Sequence, residues 1–356
     1  MADLDLALHS LHPYPCKFPA AVARAYIDKG RSVLDPYCGS GTTLLEAAVK
    51  GMNVYGFDCN PIAKLITECK LSNLTAENFK SLEKLASLIN SNSFIRKIGD
   101  YELHEFDGKD HWFTQQAQAE FGLLLNELNK FERNTPPWLV VATTLSAITN
   151  TYSNQDSETR YAAIEKNHIT GDVTKAFGKK LIKSIDAIRL RGPIKNKVSQ
   201  VSLGDIREGM PMADGSIDQV ITSPPYANTM DYYLYHKHRM NLLKFDFKQT
   251  QNREIGSRYE FSSRRQKKEV WSADYKLGMI EIMRVLKPGG KAIFVIGDSQ
   301  IAGELINGGE MTVDAATSLG LTSKILESVS MAGKSRTFRH SFQSPNKYEH
   351  VVEIRK

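Results

Sequence analysis

The sequence predicts a doubly wound α/β fold with a mostly parallel sheet, a helical insertion and a C-terminal antiparallel hairpin. Three observations predict it. A strand, a Gly-rich turn, a helix and a second strand follow one another between Ser32 and Asp58, the opening unit of a parallel sheet whose ligands sit at its strand ends. Strand and helix patterns resume after Val198 and run to the C-terminus. The stretch between them, 65–197, has helical periodicity and is too long for a single strand-to-helix connection.

Residues 18–30 read as a helix whose apolar stripe is Ala21, Val22, Ala25, Tyr26 and Ile27, with Gly30 as its stop. The buried strand Ser32-Val33-Leu34-Asp35 runs into the Gly-rich turn. Residues 42–50 form the next helix, with Gly51 as C-cap, and 53–58 the second strand. Three apolar stripes in the insertion read as core packing: Leu82, Leu85, Leu88 and Ile89; Phe121, Leu124, Leu125 and Leu128; and a third within 176–188. Residues 198–203 are a strand ending at Gly204-Asp205, and 216–222 a strand ending at Ser223-Pro224-Pro225-Tyr226. Residues 274–286 read as a helix stopped by Lys287-Pro288-Gly289-Gly290, followed by a strand over 291–296. A helix over 312–319 and strands around 323–330 and 348–354 complete the pattern, the last two as the edge hairpin. The organisation is therefore 1–64, an insertion over 65–197, and 198–356.

With 356 residues and 41% apolar content, the chain can bury a substantial core. Its 46 basic and 40 acidic residues leave a charge of +6, which permits a nucleic-acid partner without requiring one. Cys16, Cys38, Cys59 and Cys69 form no C-x-x-C pair and have no neighbouring His cluster, so neither a zinc site nor a disulfide framework is expected. The N-terminus lacks a basic segment followed by an apolar run, and no segment is long and apolar enough to span a bilayer. The expectation is a reduced, cytoplasmic protein with no metal and no membrane contact.

The run Asp35-Pro36-Tyr37-Cys38-Gly39-Ser40-Gly41-Thr42-Thr43 closes a strand and opens a helix. Its glycines let backbone approach a ligand, and the helix start offers free N–H groups to an anion. Asp58, ending the second strand, stands where a carboxylate can accept both hydroxyls of a ribose. The run resembles the cofactor motif of amino-group DNA methyltransferases. His12-Pro13-Tyr14-Pro15-Cys16-Lys17-Phe18-Pro19 resembles the segment that precedes that motif and covers the bound cofactor. The resemblance implies a Rossmann-like class I methyltransferase fold and S-adenosylmethionine as cofactor. It implies a cofactor site made of Lys17, Phe18, Asp35, Tyr37, Gly39, Ser40, Gly41, Thr42, Thr43 and Asp58, with Asp205 near the adenine ring. It covers the first seventy or so residues and most of the chain after Val198, but not the insertion.

Ser223, Pro224, Pro225 and Tyr226 are the candidate catalytic residues. An exocyclic amino group is a poor nucleophile because its lone pair is delocalised into the ring. Carbonyl and hydroxyl acceptors that bind the amino protons draw that lone pair back toward the methyl donor. Two prolines hold the carbonyls at the strand end, Ser223 adds a side-chain acceptor, and Tyr226 offers a face for stacking, worth ~1–3 kcal/mol. A duplex base has to be flipped out to reach such a site. Within the family, Ser in the first position accompanies cytosine-N4 chemistry and Asp or Asn adenine-N6, so Ser223 points to cytosine. Pro15-Cys16 resembles the Pro-Cys pair of cytosine-C5 enzymes, but it precedes the cofactor strand and no Glu-Asn-Val triplet accompanies it. Cys16 reads instead as a small residue packed near the cofactor.

The segment 244–268 carries Arg253, Arg258, Arg264, Arg265, Lys267 and Lys268 among aromatic residues, and reads as a basic loop contacting phosphates. Arg336 and Arg339, in the loop joining the last two strands, read the same way. Either the insertion or the basic loop is the candidate for reading base edges, the insertion also being a candidate dimerisation or cofactor-clasping unit. The expectation is a site-specific cytosine-N4 methyltransferase of double-stranded DNA, with a companion restriction endonuclease implied by the resemblance. Adenine-N6 methylation, RNA amino-group methylation and a non-catalytic DNA-binding subunit stay open.

Overall fold

The computed structural model describes residues 7–28, 30, 32–158, 160–331 and 347–356. The chain folds into two compact units. One comprises Cys16–Lys64, Lys195–Tyr233 and Gln249–Lys356, and the other Met1–Pro15, Leu65–Ile194 and Leu234–Lys248.

The first unit is built on a seven-stranded sheet. Its strands in chain order are β1 (Ser32–Asp35), β2 (Asn53–Asp58), β3 (Ser199–Leu203), β4 (Ile217–Thr222), β5 (Leu286–Gly297), β6 (Thr322–Ser330) and β7 (Tyr348–Arg355). They lie in the order β6-β7-β5-β4-β1-β2-β3. β1 pairs in parallel with β2 and β4, β2 with β3, and β4 with β5. β7 runs antiparallel between β5 and β6. This is a Rossmann-like sheet with the edge hairpin that the sequence pattern implies. The order reverses at β1, and the crevice at such a reversal, beyond the strands' C-terminal ends, is where ligands bind in open α/β sheets.

Period-two alternation sorts the core onto the two faces. Ala292, Phe294 and Ile296 of β5, with Val352 and Ile354 of β7, pack with Trp271, Tyr275, Met279 and Ile282 of the helix Lys268–Val285. Ile293, Val295 and Val351 face the other way with Ile221, meeting Phe18, Val22 and Tyr26 at the helix Ala20–Tyr26. At the end of β5, buried Asp298 accepts the N–H groups of Gly308 at 3.0 Å and Tyr348 at 2.8 Å. Its Oδ1 also meets Nε2 of His350 at 2.9 Å, and Ser328 Oγ lies 2.8 Å from the other ring nitrogen. This polar cluster fastens β5, β6 and β7 together.

Several boundaries differ from expectation. The first helix is Ala20–Tyr26 rather than 18–30, because Pro19 stands at its N-cap and Ile27 is already extended. The long helix begins at Lys268 rather than 274, its buried face reaching back to Trp271. It ends at Val285, and β5 starts at once at Leu286. Lys287-Pro288-Gly289-Gly290 is thus an irregularity within β5, where the register against β4 shifts between Ile217 and Gln219. A bulge suits proline, which has no N–H to give the ladder. The late helix is Gly308–Ser318, starting four residues before 312 under an Asn307 cap. Segment 244–268 is not a loop: it holds the helices Phe247–Arg253 and Arg258–Ser262, the second with a Ser257/Glu260 capping box. Two short ribbons, Gln155–Ser157 with Arg160–Ala163 and Ser299–Ile301 with Glu304–Ile306, are too short to leave a period-two signature in sequence.

The second unit is helical. Its central helix, Pro136–Tyr152, is buried continuously from Pro137 to Asn150, as expected of a helix with neighbours all round. Ala76–Ile89 buries Leu82, Leu85, Ala86 and Ile89; Leu88, expected in that stripe, is 39% exposed. Gln115–Leu128 buries Phe121, Leu124 and Leu128, and Asp172–Arg191 buries Phe177, Leu181, Ile185 and Ile188. The segment Leu234–Lys248, which follows the Ser-Pro-Pro-Tyr run, also belongs here. Its fully buried Arg239 donates to the carbonyls of Ser146 at 2.9 Å and Tyr235 at 3.0 Å and to Glu158 at 2.5 Å. No helix among the described residues is long and apolar enough to cross a membrane.

Candidate active site

Parallel pairing of Val33 with Gln219 and Leu34 with Val220 brings the C-terminal ends of β1 and β4 side by side. Thr222, the last residue of β4, donates from Oγ1 to Asp35 Oδ1 at 2.7 Å. The two sequence motifs are thereby joined by a buried hydrogen bond. Asp35 also accepts the N–H of Tyr37 at 3.3 Å. Burial pushes its carboxyl up to about 7, against the hydrogen bonds from Thr222, Thr43 and Tyr37.

The turn itself needs its glycines. Gly41 is the N-cap of Thr42–Ala48 with φ 74°, and Gly39 has φ 48°, conformations that strain other residues. Ser40, Thr42 and Thr43 are buried, and Tyr37 is half-buried with its hydroxyl against Gly278. At the end of β2, Asp58 accepts the N–H of Gly39 at 2.8 Å and of Asn60 at 2.9 Å. Burial raises its carboxyl to about 6 against those bonds. Among the described residues neither Asp35 nor Asp58 has a cationic partner, so the strand ends present two carboxylates lacking positive charge.

Other expected cofactor residues are placed less openly. Phe18 packs on the sheet face over Ile221 and Val295, while Lys17 is half-buried. Asp205, after β3, is buried and held by Arg207, which donates to Oδ1 at 2.9 Å and Oδ2 at 2.7 Å and also bridges to Asp274 at 2.9 Å. Its carboxylate is engaged before any ligand arrives.

Ser223, Pro225 and Tyr226 are half-buried and Pro224 buried just beyond β4. Ser223 Oγ donates to the Tyr226 hydroxyl at 3.3 Å, which donates to Glu349 Oε1 at 3.0 Å. The Tyr226 ring lies against Gly297, where a Cβ would come within 2.7 Å of the ring. Burial, and then the charge of Glu349, hold the Tyr226 phenol well above its usual range, so it is a donor at neutral pH. Buried Glu254 accepts the N–H groups of Tyr232 at 2.6 Å and Tyr233 at 2.9 Å, and burial pushes its carboxyl up to about 8. Glu349 and Glu254 carry no local motif and escape sequence reading; only the strand order brings Glu349 to Tyr226, and only the loop path brings Glu254 to Tyr232 and Tyr233.

Of the expected phosphate contacts, Arg258, Arg264, Arg265 and Lys267 are exposed and Arg253 is half-buried. Arg264 lies over the Tyr259 ring at 5.3 Å. Lys268 is committed to Glu304 at 2.7 Å. Arg336 and Arg339 lie outside the described residues.

A family model described as DNA methylase matches residues 6–68, which contain the β1 turn and Asp58. The chain is 25% identical over 253 residues to the type II methyltransferase M.MvaI of Kocuria varians, covering 64% of this chain and 55% of that protein. It is 32% identical over 100 residues to the type II methyltransferase M.MjaII of Methanocaldococcus jannaschii, covering 27% of this chain and 18% of that protein. Residues 6–68 are thus similar to the DNA methylase family. The chain spans about half or less of the length of these relatives. Among solved structures, a SAM-dependent methyltransferase from Methanosarcina mazei aligns over 97% of this chain and 98% of its own chain at 12% identity, with a TM-score of 0.36. S-adenosylmethionine is the cofactor that goes with the family. The site suits it: a ligand carrying an ammonium and a sulfonium supplies the positive charge that Asp35 and Asp58 lack, and the Gly39–Gly41 turn admits backbone close to it.

Proposed function

We propose that this chain transfers a methyl group from S-adenosylmethionine to N4 of a flipped cytosine in duplex DNA, at a specific sequence, as the modification half of a restriction-modification pair. The observation that supports this most directly is the Thr222–Asp35 bond, which sets the Ser223-Pro224-Pro225-Tyr226 run beside the cofactor turn. In this reading Asp35 faces the ammonium group, Asp58 takes the ribose hydroxyls, and the cofactor supplies the electrophilic methyl. Ser223 Oγ and the Pro224 carbonyl accept the amino protons and turn the nitrogen lone pair toward that methyl. No covalent adduct with the chain is needed. The exposed Arg258, Arg264, Arg265 and Lys267 take phosphates.

The test is incubation of the purified chain with labelled cofactor and mixed-sequence duplex DNA, then nucleoside digestion and mass spectrometry. N4-methylcytosine is expected. N6-methyladenine would keep the site and overturn the base assignment, and cofactor binding with no methylated nucleoside on DNA would redirect the reading to RNA.

A further inference from the structure

The hydrogen bonds leading away from Ser223 all point one way. Ser223 Oγ donates to Tyr226 at 3.3 Å, and Tyr226 donates to Glu349 at 3.0 Å. Glu349 stands on β7, paired opposite Gly297 of β5, so the sheet itself sets its position. The Glu349 carboxylate, and the Val295 carbonyl lying farther off at 3.4 Å, can only accept, which orients the Tyr226 proton outward and makes the phenolic oxygen the acceptor for Ser223. The serine proton is then committed, and the lone pairs of Ser223 Oγ are left for a proton from another donor. An enzyme that must polarise an amino group needs that polarity; a serine free to rotate would donate as readily as accept.

We propose that Glu349, acting through Tyr226, is the positioning residue that fixes Ser223 as an acceptor, and that the same three residues carry away the proton released when the amino nitrogen is methylated. This rests on the methyltransferase reading above. The N–H bond breaks with its electron pair staying on nitrogen, and the proton goes to Ser223 Oγ. As it arrives, Ser223 passes its own proton to the Tyr226 oxygen and Tyr226 passes its proton to Glu349, which changes from carboxylate to carboxylic acid. Nothing is oxidised or reduced, and Glu349 later returns the proton to water. The other titratable groups facing this chain are Cys16, which feels both Glu349 and Tyr226, and Tyr232, which is hydrogen-bonded to Cys16.

The experiment compares the wild-type chain with Glu349→Gln, Tyr226→Phe and the double variant in single-turnover methyl transfer, cofactor and DNA both saturating, across pH. Glu349→Gln keeps the shape and leaves an amide oxygen that can accept a hydrogen bond, but removes the carboxylate that takes up the proton. It is expected to lower the transfer rate at least about tenfold, leave cofactor affinity within twofold, and abolish the acid limb of the wild-type pH profile. The double variant should be no slower than the slower single one, because both break one chain. A second readout needs no turnover. The carbon-13 Cζ resonance of Tyr226, assigned by its loss in Tyr226→Phe, should move on Glu349→Gln in the cofactor-free chain. An unmoved resonance, an unchanged rate and pH profile, or additive losses would each overturn the proposal. A wild-type chain that binds cofactor but methylates no DNA base would sink the methyltransferase reading and the relay with it. A wild-type chain that methylates DNA, matched by Glu349→Gln, sinks the relay alone.

Discussion

Asp35 and Asp58 sit at strand ends with carboxyls raised to about 7 and about 6 by burial. A raised carboxyl binds protons more tightly in the folded chain than in the unfolded one. Its contribution to stability is therefore best at low pH and is lost as pH rises through the folded value. A cationic cofactor reverses the preference, favouring the ionised forms. Cofactor affinity should therefore rise between about pH 6 and about pH 7 with protons released on binding. Calorimetry in two buffers of different ionisation enthalpy measures this; a heat independent of buffer in that window would contradict it. Asp58→Ala should weaken cofactor binding and remove the lower part of the proton release. Ser223→Ala, by contrast, should lower the methyl-transfer rate at least about tenfold with cofactor affinity nearly intact. Equal loss of both would remove Ser223 from its assigned role.

The elements depend on contacts that reach across the chain. Helix Asp172–Arg191 has Gly171 at its N-cap and no side-chain cap of its own. Its start is satisfied from another helix: fully buried Glu120 accepts the N–H of Gly171 at 2.9 Å and of Thr174 at 2.8 Å. Glu120→Ala leaves two buried donors unmet and should destabilise the helical unit by about 2–3 kcal/mol, read as a lower urea midpoint. An unchanged midpoint would mean water takes over both donors. The helices themselves were legible as apolar stripes, and errors fell where periodicity is weakest. Ala86 rather than Leu88 completes one stripe because the turn of the helix, not residue hydrophobicity, decides which side faces the neighbour. The segment after Tyr226 looked like a loop because short capped helices such as Arg258–Ser262 bury no residue fully and leave no stripe.

For the whole molecule, the charge of +6 matters less than where cations are exposed. Arg258, Arg264, Arg265 and Lys267 lie close together in sequence and are exposed. If Arg264 and Arg265 each bind a phosphate, changing both to Gln should make DNA binding less salt-sensitive, the log–log slope falling in magnitude by about 1.8, or about 0.9 per contact. Fluorescence anisotropy of a labelled duplex from low to moderate salt measures it; an unchanged slope would take this segment out of the DNA contact.

By itself the sequence determined the two motifs and the sheet that presents them. Those features are local: a strand-end turn that requires glycine and strands buried on alternate faces are written in contiguous residues. Tertiary structure alone decided that Thr222 bonds to Asp35, that Arg207 occupies Asp205, that Leu234–Lys248 belongs to the helical unit, and that Glu349 meets Tyr226. Each of these joins groups whose meeting depends on strand order, loop path or rotamer, and hydrophobic periodicity carries no record of which distant partner a polar side chain will find.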